Sequence, residues 1–476
     1  MKRALALVGL LFLATACPDR KTTPRPSVSR HAVSGRSILL ITIDTLRADH
    51  LGVYGDRRAT SPHIDSLARR GMVFDRAFTF WPKTRASMIC MMTGLYPSRN
   101  GYDSQHRELY SFNPTLASAL HDAGYATAAV VDNANVAASH GFSKGFESFH
   151  EVWTDKAVKD EADGARAISA GAIRFLSDAP KDRPFFLWLH YVNPHAPYTP
   201  PPPFDAQFAD ADAAAGPELR PVTGFNGGVR RVWAVPDHMR LGYYVSQYDG
   251  EIAFTDAEVG RVLDALSKSG RAGQTVVLLA SDHGESLGEH NYYFDHGADL
   301  FDPCLRVPLI VADPDAKASG RSSALASTLD IVPTLLDAVK VSYPPDLAGM
   351  SLLPVVRGQS VTPRERLFAE NDRGFTGTHD SRFKLVREPK PTRREALYDR
   401  KTDPAELHDV KSQSPQEAKS QRAALDAHLS ARASEWRQTR ERLAAAPAAA
   451  PAKQSCEECQ RLKELGYVED CNGVCP

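Results

Sequence analysis

Five short apolar runs constrain this chain more than any other feature. Residues 37–43 (SILLITI), 127–131 (TAAVV), 184–191 (PFFLWLHY), 275–280 (TVVLLA) and 307–311 (VPLIV) are nearly free of charged side chains. A strand with one wet face alternates polar and apolar residues, so unbroken β-rich runs belong to strands covered on both faces. Helix-like stretches lie between them. In 252–266 (IAFTDAEVGRVLDAL), Ile252, Val259, Val262, Leu263 and Leu266 share one helical face. Strands alternating with helices predict an α/β fold, a doubly wound, mainly parallel sheet with helices on both faces. Ligands of such sheets bind beyond the carboxyl ends of the strands.

The pattern changes near residue 365. Residues 36–365 form the expected main domain. Segments 367–370 (LFAE), 383–387 (FKLVR) and 396–399 (ALYD) predict a smaller antiparallel sheet. A helix over 416–443, with Leu425, Leu429 and Trp436 at helical spacing, completes a C-terminal subdomain of residues 366–443. An Ala/Pro linker (444–453) leads to a tail (454–476) holding Cys456, Cys459, Cys471 and Cys475. This spacing suits zinc or two disulfides. In an exported chain disulfides are expected, with the pairing open, and the tail reads as a staple, not a catalytic centre. Cys90 and Cys304, in apolar surroundings, read as buried free thiols.

Export is suggested by the N-terminus. Lys2 and Arg3 precede an apolar run, Ala4 to Ala16, too short to cross a bilayer as a helix. Its end, Leu13-Ala14-Thr15-Ala16-Cys17, resembles a bacterial lipobox with Leu one place early. Lipidation at Cys17 is the favoured expectation and plain cleavage the alternative. Residues 18–35 read as a polar tether. The expected location is the periplasm or cell surface, with membrane contact through the lipid anchor only. Lys plus Arg number 57 and Asp plus Glu 58, a formal charge of −1, so nothing global attracts nucleic acid. Any attraction for an anionic substrate must be local.

Four polar segments lie at strand ends or a helix start. Asp44-Thr45-Leu46-Arg47 follows the first run, where a carboxylate can hold a divalent cation or serve as a turn residue. Lys83-Thr84-Arg85 precedes an apolar helix predicted to stop at Gly94. There Thr84 suits an N-cap, and equally a nucleophile whose charge the helix terminus favours. His190-Tyr191-Val192-Asn193-Pro194-His195 ends the third run, and two histidines five apart around a Pro turn are not both expected as core fillers. Asp282-His283 ends the fourth and can give one oxygen and one nitrogen ligand to one ion. Glu289-His290 and Asp295-His296 follow it.

Taken with the stretches ITIDTLRADHLGVYG (41–55), SPHIDSLARRGMVFDRAF (61–78), MMTGLYPSRNGY (91–102), YDGEIAFTDAEVGRVLDAL (248–266) and SDHGESLGEH (281–290), the chain resembles the sulfatase family of the alkaline-phosphatase-like superfamily. The resemblance covers roughly residues 37–410. It implies a metal-dependent ester hydrolase or transferase acting on a sulfate or phosphate ester. One divalent ion, calcium, magnesium, manganese or zinc, is implied on Asp44, Thr45, Thr84, Asp282 and His283. Thr84 stands at the family's nucleophile position, nine residues before Thr93. Arg85, His195 and one of His290 and His296 are the further candidate catalytic residues. The chain departs from ordinary sulfatases in carrying Thr84-Arg85-Ala86-Ser87-Met88 where they carry the formylglycine motif. It also reads VVDNANV (130–136) where they place a sulfate-binding Lys and His. A threonine nucleophile resembles the phosphodiesterase and phosphoglycerol-transferase branches. The alternative is a non-catalytic surface-binding lipoprotein on the same fold, against which the retained ligand set argues.

Overall fold

The computed structural model describes residues 35–209, 214–317, 319–343 and 346–445, together with 455–466, 468, 470–471 and 474–475 of the tail. The expected signal, Cys17, nearly all of the tether and most of the Ala/Pro linker lie outside the described residues.

The body is built on an eight-stranded sheet. In chain order its strands are β1 (Ser37–Ile43), β2 (Met72–Phe78), β3 (Ala126–Val131), β4 (Ser148–Glu151), β5 (Phe185–Tyr191), β6 (Thr275–Ser281), β7 (Leu309–Ala312) and β8 (Gly320–Ser327). Their spatial order is β8-β2-β7-β6-β1-β5-β3-β4. Only β7 runs antiparallel to its neighbours, β6 and β2. The mainly parallel, doubly covered sheet expected from the apolar runs is therefore present. Four of those runs became the central strands, and the fifth became β7. β2, β4 and β8 have no such run, because edge positions and partly exposed faces admit polar residues, as in GRSSALAS of β8.

Helices cover both faces: α1 (Pro62–Ala68), α2 (Thr84–Thr93), α3 (Leu116–Asp122), α4 (Glu161–Asp178), α5 (Leu241–Lys268) and α6 (Ile331–Ala338). Strand alternation divides β1 between two cores. Ile38 and Leu40 face α2, α3 and α6, packing with Met88, Ile89, Leu120 and Leu335. Leu39, Ile41 and Ile43 face α1, α4 and α5, packing with Leu67, Ile168, Ile252 and Val262. Each such buried aliphatic side chain contributes roughly 1.5–3 kcal/mol. α5 is longer than 252–266 because Tyr244 and Tyr248 extend its buried face. α2 ends as expected at Gly94, whose φ of 66° carries the left-handed turn that closes the helix.

The C-terminal sheet is an antiparallel meander of β9 (Leu367–Glu370), β10 (Thr376–His379), β11 (Phe383–Arg387) and β12 (Glu395–Asp399). β10 (TGTH) lacks the apolar pattern that disclosed the other three. Leu367, Ala369 and Val386 pack with Phe78, Leu300 and Leu325, so the two sheets share apolar contacts. α7 (Pro415–Ala445) lays Ala418 and Leu425 on Leu385 and Leu397, while Leu429 and Trp436 are only half-buried. In the tail, α8 (Cys456–Glu464) is closed by disulfides Cys456–Cys475 and Cys459–Cys471. Cys90 and Cys304 are buried and free.

Candidate active site

Strand register assembles the site. Ile43 of β1 lies beside Tyr191 of β5 and Ser281 of β6, so Asp44 and Asp282 leave neighbouring strands at one level. His190 pairs with Thr42 on one side and Val131 of β3 on the other. Asn133, two residues past β3, donates its amide Nδ2 to Asp44 Oδ2 at 2.5 Å. Every one of these side chains is buried.

Two carboxylates here share a space, and among the described residues no lysine or arginine forms an ion pair with either. Burial, then the charges of Asp282 and Glu285, pushes the Asp44 carboxyl well above its ordinary range, against the Asn133 bond. Burial raises Asp282 too, with His283 opposing. Asp44 Oδ1, Asp282 Oδ2, His190 Nε2 and Thr45 Oγ1 have no hydrogen-bond partner among the described residues. Asp44, His190 and Asp282 each offer a ligand atom within 4.8 Å of the others. Uncompensated buried anions are costly, and a mixed oxygen and nitrogen set suits a divalent cation. The residues therefore fit the ion that the resemblance implies.

Hydrogen bonds set which nitrogen of each histidine faces this space. The Thr42 hydroxyl donates to Leu189 O at 3.1 Å and accepts from Trp188 Nε1 at 2.9 Å. Its remaining acceptor capacity takes His190 Nδ1–H at 2.9 Å, which leaves His190 Nε2 bare, 3.8 Å from Asp44 Oδ2. His283 Nδ1–H donates to Gly284 O at 2.9 Å. Its Nε2 then lies 3.6 Å from Asp44 and 3.5 Å from Asp282. Burial lowers both rings, His190 to about 3, which keeps them neutral and able to bind metal.

Thr84 is the first residue of α2, and Lys83, not Thr84, occupies the cap position. Its Oγ1 is 3.2 Å from His283 Nε2 and 3.5 Å from Asp44 Oδ2. The helix is docked by Ser87, whose hydroxyl donates to Asp282 O at 2.7 Å. The hydroxyl thus faces the acidic cluster at a helix N-terminus, where partial positive charge favours an anion.

His195 and His296 complete the cluster, and His290 stands apart from it. His195 Nδ1–H donates to Ala196 O at 2.6 Å, and His296 Nδ1 pairs with Glu285 Oε1 at 2.9 Å. The His296 ring lies 4.2 Å from that of His283 and 5.2 Å from that of His195. His290 instead stacks on Phe301 at 3.4 Å, in a left-handed backbone conformation. Arg85 is turned onto the loop after β3, reaching Asn135 O and Oδ1 at 3.3 and 3.2 Å. Lys83 is close enough to lower the pKa of both His283 and His296.

Three participants were given no site role in the sequence. His190 was singled out with His195 around the Pro turn but not as a ligand, although a lone polar residue near the end of a buried strand signals one. Glu285 belongs to the recognised SDHGE stretch but was given no role. Asn133 occupies the segment noted only for the residues it lacks.

A fold and a site of this kind have relatives. The chain belongs to the sulfatase family, whose match covers residues 36–341, and it is a sulfatase-like ester hydrolase. Residues 288–435 also match the C-terminal region of N-sulphoglucosamine sulphohydrolase. An N-acetylglucosamine-6-O-sulfatase of Bacteroides thetaiotaomicron is 24% identical, covering 85% of this chain and 86% of that protein. An arylsulfatase of Clostridium perfringens is 26% identical, covering 72% and 83%. Among solved structures, the phosphonate monoester hydrolase of Agrobacterium radiobacter superposes with a TM-score of 0.69 at 21% identity, covering 84% of this chain and 96% of that one. A protein held with its substrate D-glucosamine-2-N,6-O-disulfate superposes with a TM-score of 0.70 at 22% identity, covering 85% and 98%.

Proposed function

We propose that this protein hydrolyses a phosphate or phosphonate ester through Thr84 as a covalent nucleophile, without formylglycine. The observation that carries the reading is the Thr84 hydroxyl at the start of α2, directed at His283 and Asp44. Asp44, Asp282, His190 and His283 would hold one divalent ion beside it. When bound, such an ion supplies positive charge that lowers the hydroxyl's pKa and polarises the ester oxygens. Thr84 attacks phosphorus as its alkoxide, the bond to the leaving oxygen breaks, and phosphothreonine forms from a phosphate ester or a threonyl phosphonate from a phosphonate ester. Water then attacks phosphorus and releases Thr84. In this reading His195 and His296 protonate the leaving oxygen. Burial pushes His195 down to about 3 and His296 well below its usual value, so both are neutral in the free protein. An arriving anionic ester raises them, so substrate binding brings the proton that the leaving group needs.

The transferred group is argued from chemistry. A formylglycine hydrate expels sulfate by restoring its aldehyde, whereas a sulfated threonine has no such route. Neither free cysteine offers a substitute, since Cys90 is buried with its thiol pushed up to about 12. The sulfatase relatives favour a second reading, sulfate-ester cleavage by direct attack. Purified protein with p-nitrophenyl sulfate, p-nitrophenyl phosphate and bis-p-nitrophenyl phosphate, metals varied, separates the two. Rapid quenching and peptide mass analysis should find phosphate on Thr84, and sulfate there would favour the second reading. Full turnover by Thr84→Ala would remove both. The lipobox-like end at Cys17 supports a lipid-anchored, exported enzyme, and Cys17→Ser should move it to the soluble fraction.

A further inference from the structure

The cysteine-rich tail lies beyond both family matches, which end at residues 341 and 435. It nonetheless packs against the rim of the site. α8 rests on residues 134–136, just past β3, and on 152–154, just past β4. Leu462 joins the core that contains Ala134, Val136 and Trp153. At the other end Gly466, with a φ of 78°, packs against Trp233 and Arg230.

One charged side chain of the tail goes inside. Arg461, buried to 4% exposure, places Nη2 2.9 Å from Asp132 Oδ2 and Nη1 3.2 Å from Glu464 Oε2. Asp132 is itself fully buried and pressed against α4, where a Cβ on Gly164 would overlap its carboxylate. A buried carboxylate so confined needs its cation, because removing one partner strands the other charge. Asp132 begins a short loop in which the next residues do specific work. Asn133 Oδ1 accepts from Asn135 N at 2.9 Å, and Asn133 Nδ2 donates to Asp44. Asn135 holds Arg85. A line of contacts therefore runs from the disulfides through α8, Arg461 and Asp132 to Asn133 and Asp44.

We propose that the disulfide-stapled C-terminal segment is a working part of the active site, with Arg461 as a positioning residue. Arg461 fixes Asp132 and with it the 132–136 loop, whose Asn133 sets the orientation of Asp44 and whose Asn135 sets that of Arg85. This rests on the reading of Asp44 as a metal ligand. The two disulfides then have a purpose beyond stability. A segment this short has no core of its own, and the crosslinks keep α8 in the shape that presents Arg461. The enzyme gains its full metal affinity only after the tail is oxidised.

The test uses the full chain and manganese, with calorimetric binding measured in the absence of any ester. Arg461→Met should weaken manganese binding by about 10- to 100-fold, as loss of a ligand's support commonly does. In the otherwise native enzyme it should lower kcat with little change in KM. Arg461→Lys should recover part of both. Asp132→Asn combined with Arg461→Met should be no worse than the poorer single variant, since the two charges are lost together. Native manganese affinity and turnover in Arg461→Met would overturn the proposal. Should that variant fail to fold, thiol reduction of the otherwise native protein gives the same reading. Manganese affinity should fall while the circular dichroism of the body is kept, and return on reoxidation. Unchanged affinity after reduction would overturn the proposal equally. No manganese binding by the unsubstituted ligand set would instead remove the reading of Asp44 on which it rests.

Discussion

Two helices reach the active site and are held there by different means. α2 is buried along nearly its whole length, from Thr84 through Thr93 with Arg85 excepted, and its position follows from the core. α8 buries Glu458, Cys459, Arg461 and Leu462, and two crosslinks tie it to the end of the chain. A helix of nine residues is marginal in water, and so narrow a buried face does little to hold it. The contrast teaches that chemistry and its adjustment can sit on elements of very different stability. Thr84, the proposed nucleophile, belongs to the deeply buried one. Arg461, the proposed positioning residue, belongs to the crosslinked one.

The comparison can be broken or sharpened by experiment. The largest effect should come from Thr84→Ala, which should lower kcat about a thousandfold or more without lowering the melting temperature. Thr84→Ser keeps a hydroxyl and should retain part of the rate. Ile89→Ala, on the fully buried face of α2, should cost about 2–5 kcal/mol in urea unfolding of the whole body. Next comes reduction of the disulfides, expected to lower turnover about tenfold by freeing α8, in keeping with the cost of losing support around a ligand.

A smaller effect concerns pH. Burial and Asp282 raise the Asp44 carboxyl above its ordinary value of 3.8, so its protonated form is the one that folding favours. That contribution is complete below 3.8 and is lost as pH rises through the raised value. Chelator-treated protein should therefore lose stability from about pH 4 upward, by no more than about 1.4 kcal/mol per pH unit for each such carboxyl. Added divalent cation should abolish the slope, and thermal melts across pH, with and without metal, measure it. A metal-free protein with no slope would argue against the uncompensated acidic cluster. The smallest shift is expected for Leu462→Ala. It should speed proteolysis of the tail yet leave global unfolding nearly unchanged, because α8 can detach locally. An effect as large as that of Ile89→Ala would mean that the two helices are not held differently after all.

Much of the site was legible because parallel sheets align strand ends. Asp44 and Asp282 each follow an unbroken apolar run, and the register of β1 with β6 brings such residues together wherever the runs pair. Thr84 was legible in position and ambiguous in role, since a threonine before an apolar helix suits a cap as well as a nucleophile. Its place at the first helical position, facing His283, is a matter of a few ångströms that no local pattern encodes. His290 and His296 were equivalent in sequence. The backbone between them turns His290 onto Phe301 and sends His296 to Glu285.

The sequence by itself determined the class of fold, the family and the strand ends that carry Asp44 and Asp282. Those properties follow from short-range patterning of apolar and turn residues and from motifs read within a few positions. Tertiary structure alone decided that His190 and Asn133 complete the surroundings of Asp44, that His296 joins the cluster, and that Arg461 reaches Asp132. That last contact spans 329 residues of chain. No local preference specifies such a pairing. It exists because burial leaves each charge without water, and the fold brings the one partner within reach that can satisfy it.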